Sequence, residues 1–129
     1  MKCRGIRGAT VIAANTRSAI IDGTRELLSA MAEANGVEID DVAGILFTTT
    51  TDLNAEFPAV AGRELGWLDT AMLCGHEIAV PGSLKSCVRV LMLWNTDKAL
   101  RDIRHVYLGE AQSLRPERQA GRAKPGDKR

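Results

Sequence analysis

Arginines within ordered segments are the residues of this sequence that are hardest to explain by folding alone. Five of them lie in or beside segments that are predicted to be strands, helices or turns, namely Arg7, Arg63, Arg89, Arg104 and Arg115. A guanidinium group stays charged at any working pH and presents its donors in a fixed fork that matches a carboxylate. If several of these side chains converge in one cleft, the sequence predicts a site for a small polyanionic molecule. The alternative for each arginine is a solvated or ion-paired place on the surface.

Arg89 is the arginine for which a surface position is the least satisfactory explanation. It lies within SLKSCVRVLMLW, residues 83–94, which has the length and composition of a buried strand. Side chains alternate between the two faces of a strand. Apolar residues occupy both faces here, with Val88, Val90 and Met92 on one and Cys87, Leu91 and Leu93 on the other. Because neither face is polar, we expect Arg89 to have a specific anionic partner.

A thiol, an imidazole and a carboxylate lie close together in LCGHEI, residues 73–78. The pair Cys74 and His76 could hold a metal, but no second cluster of ligands accompanies it. The same pair could act as nucleophile and base, but the sequence supplies no orienting third group and no oxyanion site. In a regular strand Cys74 and His76 point one way and Glu77 the other. Tyr107, in RHVYL, is by default a half-buried strand aromatic with its hydroxyl satisfied.

Composition indicates one globular domain. A chain of 129 residues with 45% hydrophobic and 26% charged residues falls in the ordinary range for such a domain. The longest apolar run, CVRVLMLW, is far shorter than a membrane-spanning helix needs, and no secretory signal pattern is visible at the start. Three cysteines without a CxxC pair indicate reduced thiols. We therefore expect a cytoplasmic protein that binds neither membrane nor nucleic acid.

Charge is distributed unevenly along the chain. Residues 115–129 carry six basic and two acidic side chains, whereas residues 1–114 are net acidic. The basic segment contains glycines and prolines but no aromatic residue, so a disordered tail is a better interpretation than a nucleic-acid arm. We expect a folded domain over residues 1–116 and a disordered basic tail over residues 117–129.

Periodicity and turn residues predict two helices and at least five extended segments. The helices are expected from Asn15 or Thr16 to Asn35, where NG stops the pattern, and from Pro58 to about Leu65. The extended segments are residues 3–13, 42–50, 70–78, 85–94 and 103–108, and NTDKALRD could form one helical turn. Strands outnumber helices and most connections are short. This pattern favours an α+β fold, a mixed sheet with helices on one face.

Taken together, eight short segments resemble the monofunctional AroH-class chorismate mutases. In order along the chain they are RGIRGAT (4–10), TDLNAEFPA (51–59), RELGW (63–67), LCGHE (73–77), GSLKSCVRV (82–90), NTD (95–97), IRHVYL (103–108) and LRP (114–116). The resemblance implies an isomerase that converts chorismate to prephenate, by an intramolecular Claisen rearrangement, in aromatic amino-acid biosynthesis from the shikimate pathway. It also implies a homotrimeric pseudo-barrel of the Bacillus type, with one active site between each pair of neighbouring subunits. No cofactor and no metal are expected.

The resemblance also assigns roles to residues by matched position. Arg89 would bind the substrate's ether oxygen and a carboxylate, while Arg7 and Tyr107 would contact carboxylates. Glu77 and Cys74 would face the ring hydroxyl. The residues expected to line or close the pocket are Phe57, Ala59, Arg63, Leu73, Leu114 and Arg115.

A few positions depart from the pattern of the family. Val60 stands where lysine is common and His76 where glutamine is common, and Ala71 and Ala99 replace prolines. We expect these changes to adjust loops and the rim of the site, and His76 to add pH dependence if it faces the site. The alternative function is a catalytically silent trimer that binds a carboxylate metabolite for regulation. The presence of both Arg89 and Glu77 favours the enzyme.

Overall fold

A five-stranded mixed sheet forms the centre of the computed structural model, which describes residues 1–114. The strands are β1 (Lys2–Val11), β2 (Val42–Thr49), β3 (Met72–His76), β4 (Cys87–Thr96) and β5 (Val106–Tyr107). The helices are α1 (Arg17–Asn35) and α2 (Ala59–Glu64), with 3-10 turns at Ile39–Asp41, Leu100–Asp102 and Gly109–Leu114. The predicted α+β class is therefore confirmed. The expected tail and Arg115 lie outside the described residues.

The order of the strands places β4 at the centre of the sheet, in the order β3-β2-β4-β1-β5. Both neighbours of β4 run antiparallel to it, whereas the outer pairs, β1 with β5 and β2 with β3, are parallel. Two parallel strands need a long crossover connection. The connection between β2 and β3 contains helix α2. The most apolar strand of the sequence thus lies between two partners from Val88 to Trp94, and Asn95 and Thr96 pair with β1 alone.

Helix α1 begins and ends at the residues that the sequence predicts. The Thr16 side chain accepts a hydrogen bond from the Ala19 N–H, 3.1 Å away, and so caps the first turn. Gly36 ends the helix in the left-handed conformation, with φ of 70°, and its N–H bonds back to the last turn. Between these caps the buried positions Ile20, Thr24, Leu27, Leu28 and Met31 recur at helical spacing.

Removal of the Thr16 cap is expected to lower the free energy of unfolding by about 1 kcal/mol, because the Ala19 N–H then loses its acceptor. The measurement is urea denaturation of Thr16→Ala, with Thr16→Ser as a matched control that keeps a hydroxyl acceptor. If the two variants unfolded at the same urea concentration, the cap would be unimportant to stability.

Both helices cover the same face of the sheet, as the sequence predicts. The core lies between that face and the helices, and its largest buried side chains include Ile6, Phe47, Leu27 and Met92. Helix α1 packs against β1 and α2, and α2 packs against β3. At Gly8 of β1 an added Cβ would clash with the Met31 side chain of α1, so glycine here leaves room for that side chain in its present rotamer.

The predicted strand 103–108 is shorter than expected, and only Val106–Tyr107 pair with β1. The reason is visible at Arg104, whose backbone bonds to a side chain. The Asn35 Oδ1 accepts from the Arg104 N–H at 2.8 Å, and the Asn35 Nδ2 donates to the Arg104 carbonyl at 2.9 Å. Arg104 is therefore an exposed residue outside the sheet. Within residues 1–114 no helix has the length and apolarity to cross a bilayer.

Candidate active site

The face of the sheet away from the helices is the open face, defined here by Arg7, Leu46, Arg89, Leu91 and Leu93. These residues lie side by side in the register, since Leu91 pairs with Arg7 on one side and with Leu46 on the other. Leu46 is 38% exposed, and the three β4 residues are half-buried. The expectation that β4 is buried on both faces is therefore wrong for this face. Arg89 has apolar neighbours, as predicted, but its side chain remains 42% exposed.

Arg89 faces a carboxylate on the open face. Its Nε lies 3.5 Å from the Oε2 of Glu77, and the Thr48 hydroxyl donates a hydrogen bond to the same oxygen at 2.6 Å. The Arg89 Nε is buried and makes no hydrogen bond, so this contact is an ion pair without hydrogen-bond geometry. The predicted anionic partner of Arg89 is thus Glu77. A cation and a carboxylate are held side by side on the sheet.

Glu77 reaches the open face because strand side chains alternate across β3. The Glu77 N–H donates to the Thr49 carbonyl at 2.8 Å, which extends the pairing of β3 with β2 by one residue. His76, one residue earlier, points to the other face, where its Nδ1 lies 3.1 Å from the Thr49 hydroxyl. The expectation that His76 shares a face with Cys74 and opposes Glu77 is confirmed.

Arg7, Tyr107 and Leu114 also belong to the open face. Arg7 is exposed on β1 beside Leu91, and its backbone N–H donates to the Nδ1 of His105 at 3.0 Å. Tyr107 pairs with Ala9, which in turn pairs with Arg89. Tyr107 and Leu114 pack against a small apolar cluster formed by Ala9, Cys87 and Ala111. We call five of the predicted residues on this face, those that lie around Arg89, the charged group: Arg7, Glu77, Arg89, Tyr107 and Leu114.

The thiol of Cys87 lies at the base of the charged group. Burial raises its pKa, while the nearby guanidinium of Arg89 acts in the opposite direction. The thiol is therefore protonated at neutral pH, and Arg89 rests on a neutral, apolar base. Only the Nε of Arg89 is shielded from water here, since the side chain as a whole is 42% exposed.

The remaining predicted residues form a second group, the wall group, with members Phe57, Ala59, Arg63, Leu73 and Cys74. A cavity of about 350 Å³ lies beside α2 and is lined by Phe57, Pro58, Cys74 and His76 among others. Phe57 is 68% exposed and Ala59 is buried behind it. Leu73, on the edge strand, is 66% exposed and lies on the open face beside Leu46.

The thiol of Cys74 does not have the lowered pKa of a nucleophilic cysteine. Burial raises the pKa of its thiol, and this effect outweighs the hydrogen bond from the Ala59 backbone and the charge of Arg63, which lower it. A thiol rather than a thiolate is present at neutral pH. Within one chain Cys74 pairs with Phe47, a core residue, so it lies on the opposite face from Glu77. The two residues expected to meet at one substrate hydroxyl are therefore separated by the sheet.

The loop that carries Phe57 is held by side chains that the sequence patterns did not single out. The Asn15 Oδ1 accepts from the N–H groups of Asn54 and Ala55, both at 3.0 Å. Arg17 pairs with the Glu56 carboxylate at 2.9 Å, and the other oxygen of that carboxylate accepts from the Phe57 N–H at 2.9 Å. The hydrogen bond to Phe57 and the charges of Arg17 and Arg63 lower the pKa of Glu56.

The part of the chain that the structure describes contains neither a cluster of metal ligands nor a disulfide bond. No group of three or more potential His, Cys, Asp or Glu ligands lies together there. Cys3, Cys74 and Cys87 are all free thiols. Residues 1–114 instead hold the charges of Arg89 and Glu77 on the sheet, and Phe57 and Leu73 are exposed apolar side chains.

Fold and site define a small α+β protein whose sheet holds a cation beside a carboxylate. Residues 3–118 match the family model described as chorismate mutase type I. A chorismate mutase AroH of Thermus thermophilus is 49% identical over 115 residues, 88% of this chain and 94% of that protein. The chorismate mutase AroH of Bacillus subtilis is 44% identical over 118 residues, 91% of this chain and 93% of that protein.

A solved structure agrees with these sequences. The chorismate mutase from Clostridium thermocellum superimposes with a TM-score of 0.84 at 54% identity, over 85% of this chain and 98% of that one. The chain therefore belongs to the type I chorismate mutases. It is an isomerase that rearranges chorismate to prephenate on the way to aromatic amino acids.

Proposed function

We propose that Arg89 and Glu77 are the two electrostatic poles at which this chain catalyses the rearrangement of chorismate. The observation that carries the proposal is their placement, 3.5 Å apart on the open face, with Glu77 further held by Thr48. In the reaction one carbon–oxygen bond breaks while one carbon–carbon bond forms within the same molecule. No nucleophile and no proton transfer are needed, so catalysis depends on shape and charge.

The direction of charge movement assigns the two poles. As the ether bond lengthens, negative charge collects on its oxygen, and the ring becomes more positive. Arg89 stabilises that oxygen and binds a carboxylate, while Glu77 accepts from the ring hydroxyl and faces the positive side. These charges are in place before the reaction, so little reorganisation accompanies the transition state.

Arg7 and Tyr107 act by orienting the substrate. Both lie on the open face beside Arg89, where a guanidinium and a phenol can hold the carboxylates of chorismate. The free substrate is flexible and seldom adopts the conformer in which the two reacting carbons meet. Holding that conformer removes much of the entropic part of the barrier.

The site is complete only when the wall group comes from a second copy of the chain. Cys74 lies on the opposite face from Glu77 within one chain, and Phe57 and Leu73 are large apolar side chains left exposed. Leu46, Leu91 and Leu93 also leave apolar area on the open face. A ring of subunits with the sheets inside and the helices outside would cover these leucines. We therefore propose a homotrimer with three active sites, each between two subunits. Arg63 and Arg115 would lie at the mouth of each site.

Purified full-length chain is expected to deplete chorismate, followed in the ultraviolet, without added metal or cofactor and with the same rate in EDTA. Light scattering in the same buffer is expected to give three times the mass of one chain. Depletion no faster than the spontaneous reaction would refute the enzyme. An active monomer would refute the shared site but not the activity. We place the reaction in the cytoplasm, where three free thiols are stable.

A further inference from the structure

The ten residues between β3 and β4 connect the two poles of the site. Glu77 opens this segment and Ser86 closes it, and Arg89 follows three residues later in β4. At the Glu77 end, the backbone is bonded to the Thr49 carbonyl at 2.8 Å. The other end, Ser86, leads directly into β4, where Arg89 pairs with Ala9 and Thr48, so the way Ser86 is held bears on how the guanidinium meets the carboxylate.

Between its ends the segment is exposed from Ile78 to Ser83, and Leu84 packs against the cluster of Ala9, Cys87 and Ala111. The segment arches over a cavity of about 410 Å³, lined by Thr50, Thr51 and Asp52 on one side and residues 77–85 on the other. Ile78 is 82% exposed and Val80 is 57% exposed, so these apolar side chains do not pack down. Packing alone does not determine where such a segment sits.

Ser86 occupies a backbone conformation that costs energy. Its φ is 55°, and among residues 1–114 it is the one non-glycine residue with positive φ. For a residue with a Cβ, the left-handed region is disfavoured by about 1 kcal/mol or more. Such a conformation persists where the surroundings hold it.

Asp52 holds Ser86 in this conformation. Its two carboxylate oxygens lie 3.0 and 3.3 Å from the Ser86 N–H, and the Ser86 hydroxyl donates to one of them at 3.4 Å. The Thr50 hydroxyl donates to the same carboxylate and accepts from the Cys87 N–H at 3.0 Å. From the other side, the Ile12 N–H donates to the Ser86 carbonyl at 2.7 Å.

The carboxylate is held in its ionised form by these donors. The hydrogen bond from Thr50 is the largest cause of a lowered pKa at Asp52, and the Ser86 N–H adds to it. The contribution of Asp52 to stability is therefore present above the ordinary carboxyl pKa and lost on acidification. At the neutral pH of catalysis the contact is fully formed.

We propose that Asp52 is a positioning residue for catalysis, which fixes Arg89 relative to Glu77 by clamping Ser86 at the start of β4. This inference rests on the proposed roles of Arg89 and Glu77. Asp52 itself touches neither residue and is not assigned to the substrate. Its effect passes through the backbone of Ser86 and Cys87 to a guanidinium two residues further on.

The test is steady-state kinetics of Asp52→Ala, which is expected to lower kcat about tenfold and to change KM much less, because the Arg89 contact strengthens mainly in the transition state. Asp52→Asn keeps an acceptor for Ser86 and is expected to retain most of kcat. Asp69→Ala is the matched control, since Asp69 is an exposed acid with no described partner. It should behave as the parent protein.

A second substitution separates positioning from general stability. Ser86→Gly accepts positive φ without strain. Added to Asp52→Ala, it is expected to restore much of the lost kcat, with no such gain when it is added to Arg89→Ala. Unchanged kcat in Asp52→Ala, or equal losses of kcat in Asp52→Ala and Asp69→Ala, would overturn the proposal. Full activity of Arg89→Ala would instead overturn the proposed function on which it rests.

Discussion

Arg89→Ala is expected to lower kcat by about a hundredfold to a thousandfold, which corresponds to about 3–4 kcal/mol of lost transition-state stabilisation. The reason is that, in the proposed reaction, the Arg89 guanidinium meets the negative charge on the breaking ether oxygen. It lies near the Cys87 thiol, whose pKa is raised by burial, and its Nε is buried. Water that fills the space left by the truncation would provide only a weak substitute. Stopped-time assays of chorismate depletion at saturating substrate measure the change.

Arg63→Ala is the control for Arg89→Ala. Arg63 is an exposed arginine of the wall group, on α2, and its removal takes away a rim charge without changing the open face. We expect a rise in KM with a kcat close to that of the parent. Arg89→Lys tests geometry, because a lysine keeps the charge but loses the fork. Comparable losses of kcat in the alanine variants of Arg89 and Arg63 would contradict the roles assigned to them.

Two inactive variants are expected to form an active enzyme when they share a trimer. Arg89→Ala damages the charged group, and Phe57→Asp damages the wall group by placing a carboxylate against an anionic substrate. In a ring of three, each mixed trimer contains one site built from the two undamaged halves. Mixed trimers purified through two different tags should therefore show about a third of the parent activity, against nearly none for either variant alone.

The matched control combines two variants that damage the same half. Arg89→Ala mixed with Glu77→Ala leaves every charged group defective in every arrangement, so no recovery is expected. Recovery in both mixtures would indicate contamination or subunit exchange with active enzyme. If the first mixture stayed inactive while light scattering showed trimers, the site would lie within one chain.

Local features of the fold were predictable because they depend on short-range physics. The caps of α1 at Thr16 and Gly36 follow from side-chain acceptors and from positive φ, and the buried residues between them follow from helical periodicity. His76 and Glu77 lie on opposite faces of the sheet, which follows from an extended backbone alone, because side chains alternate along a strand. The family resemblance then supplied the reaction, which no periodicity could indicate.

The order of the strands and their register could not be predicted in this way. Thr48 meets Glu77 only because β3 lies beside β2 in a particular register, and the residues of the two strands carry no local sign of it. The late start of β5 follows from Asn35, far away in sequence. The exposure of Arg89 was missed because an apolar strand face that is partly exposed has the same local sequence pattern as one that is buried.

The two-sided use of β3 restricts how this segment can vary over evolution. The side chains of Cys74 and His76 point to one face of the sheet and that of Glu77 to the other, because side chains alternate along a strand. Point substitutions leave that parity intact, so side chains here can be exchanged one at a time. A single deletion between Cys74 and Glu77 would reverse it and carry the carboxylate into the core side. Relatives can therefore be expected to differ in the residues of this strand while keeping their number constant.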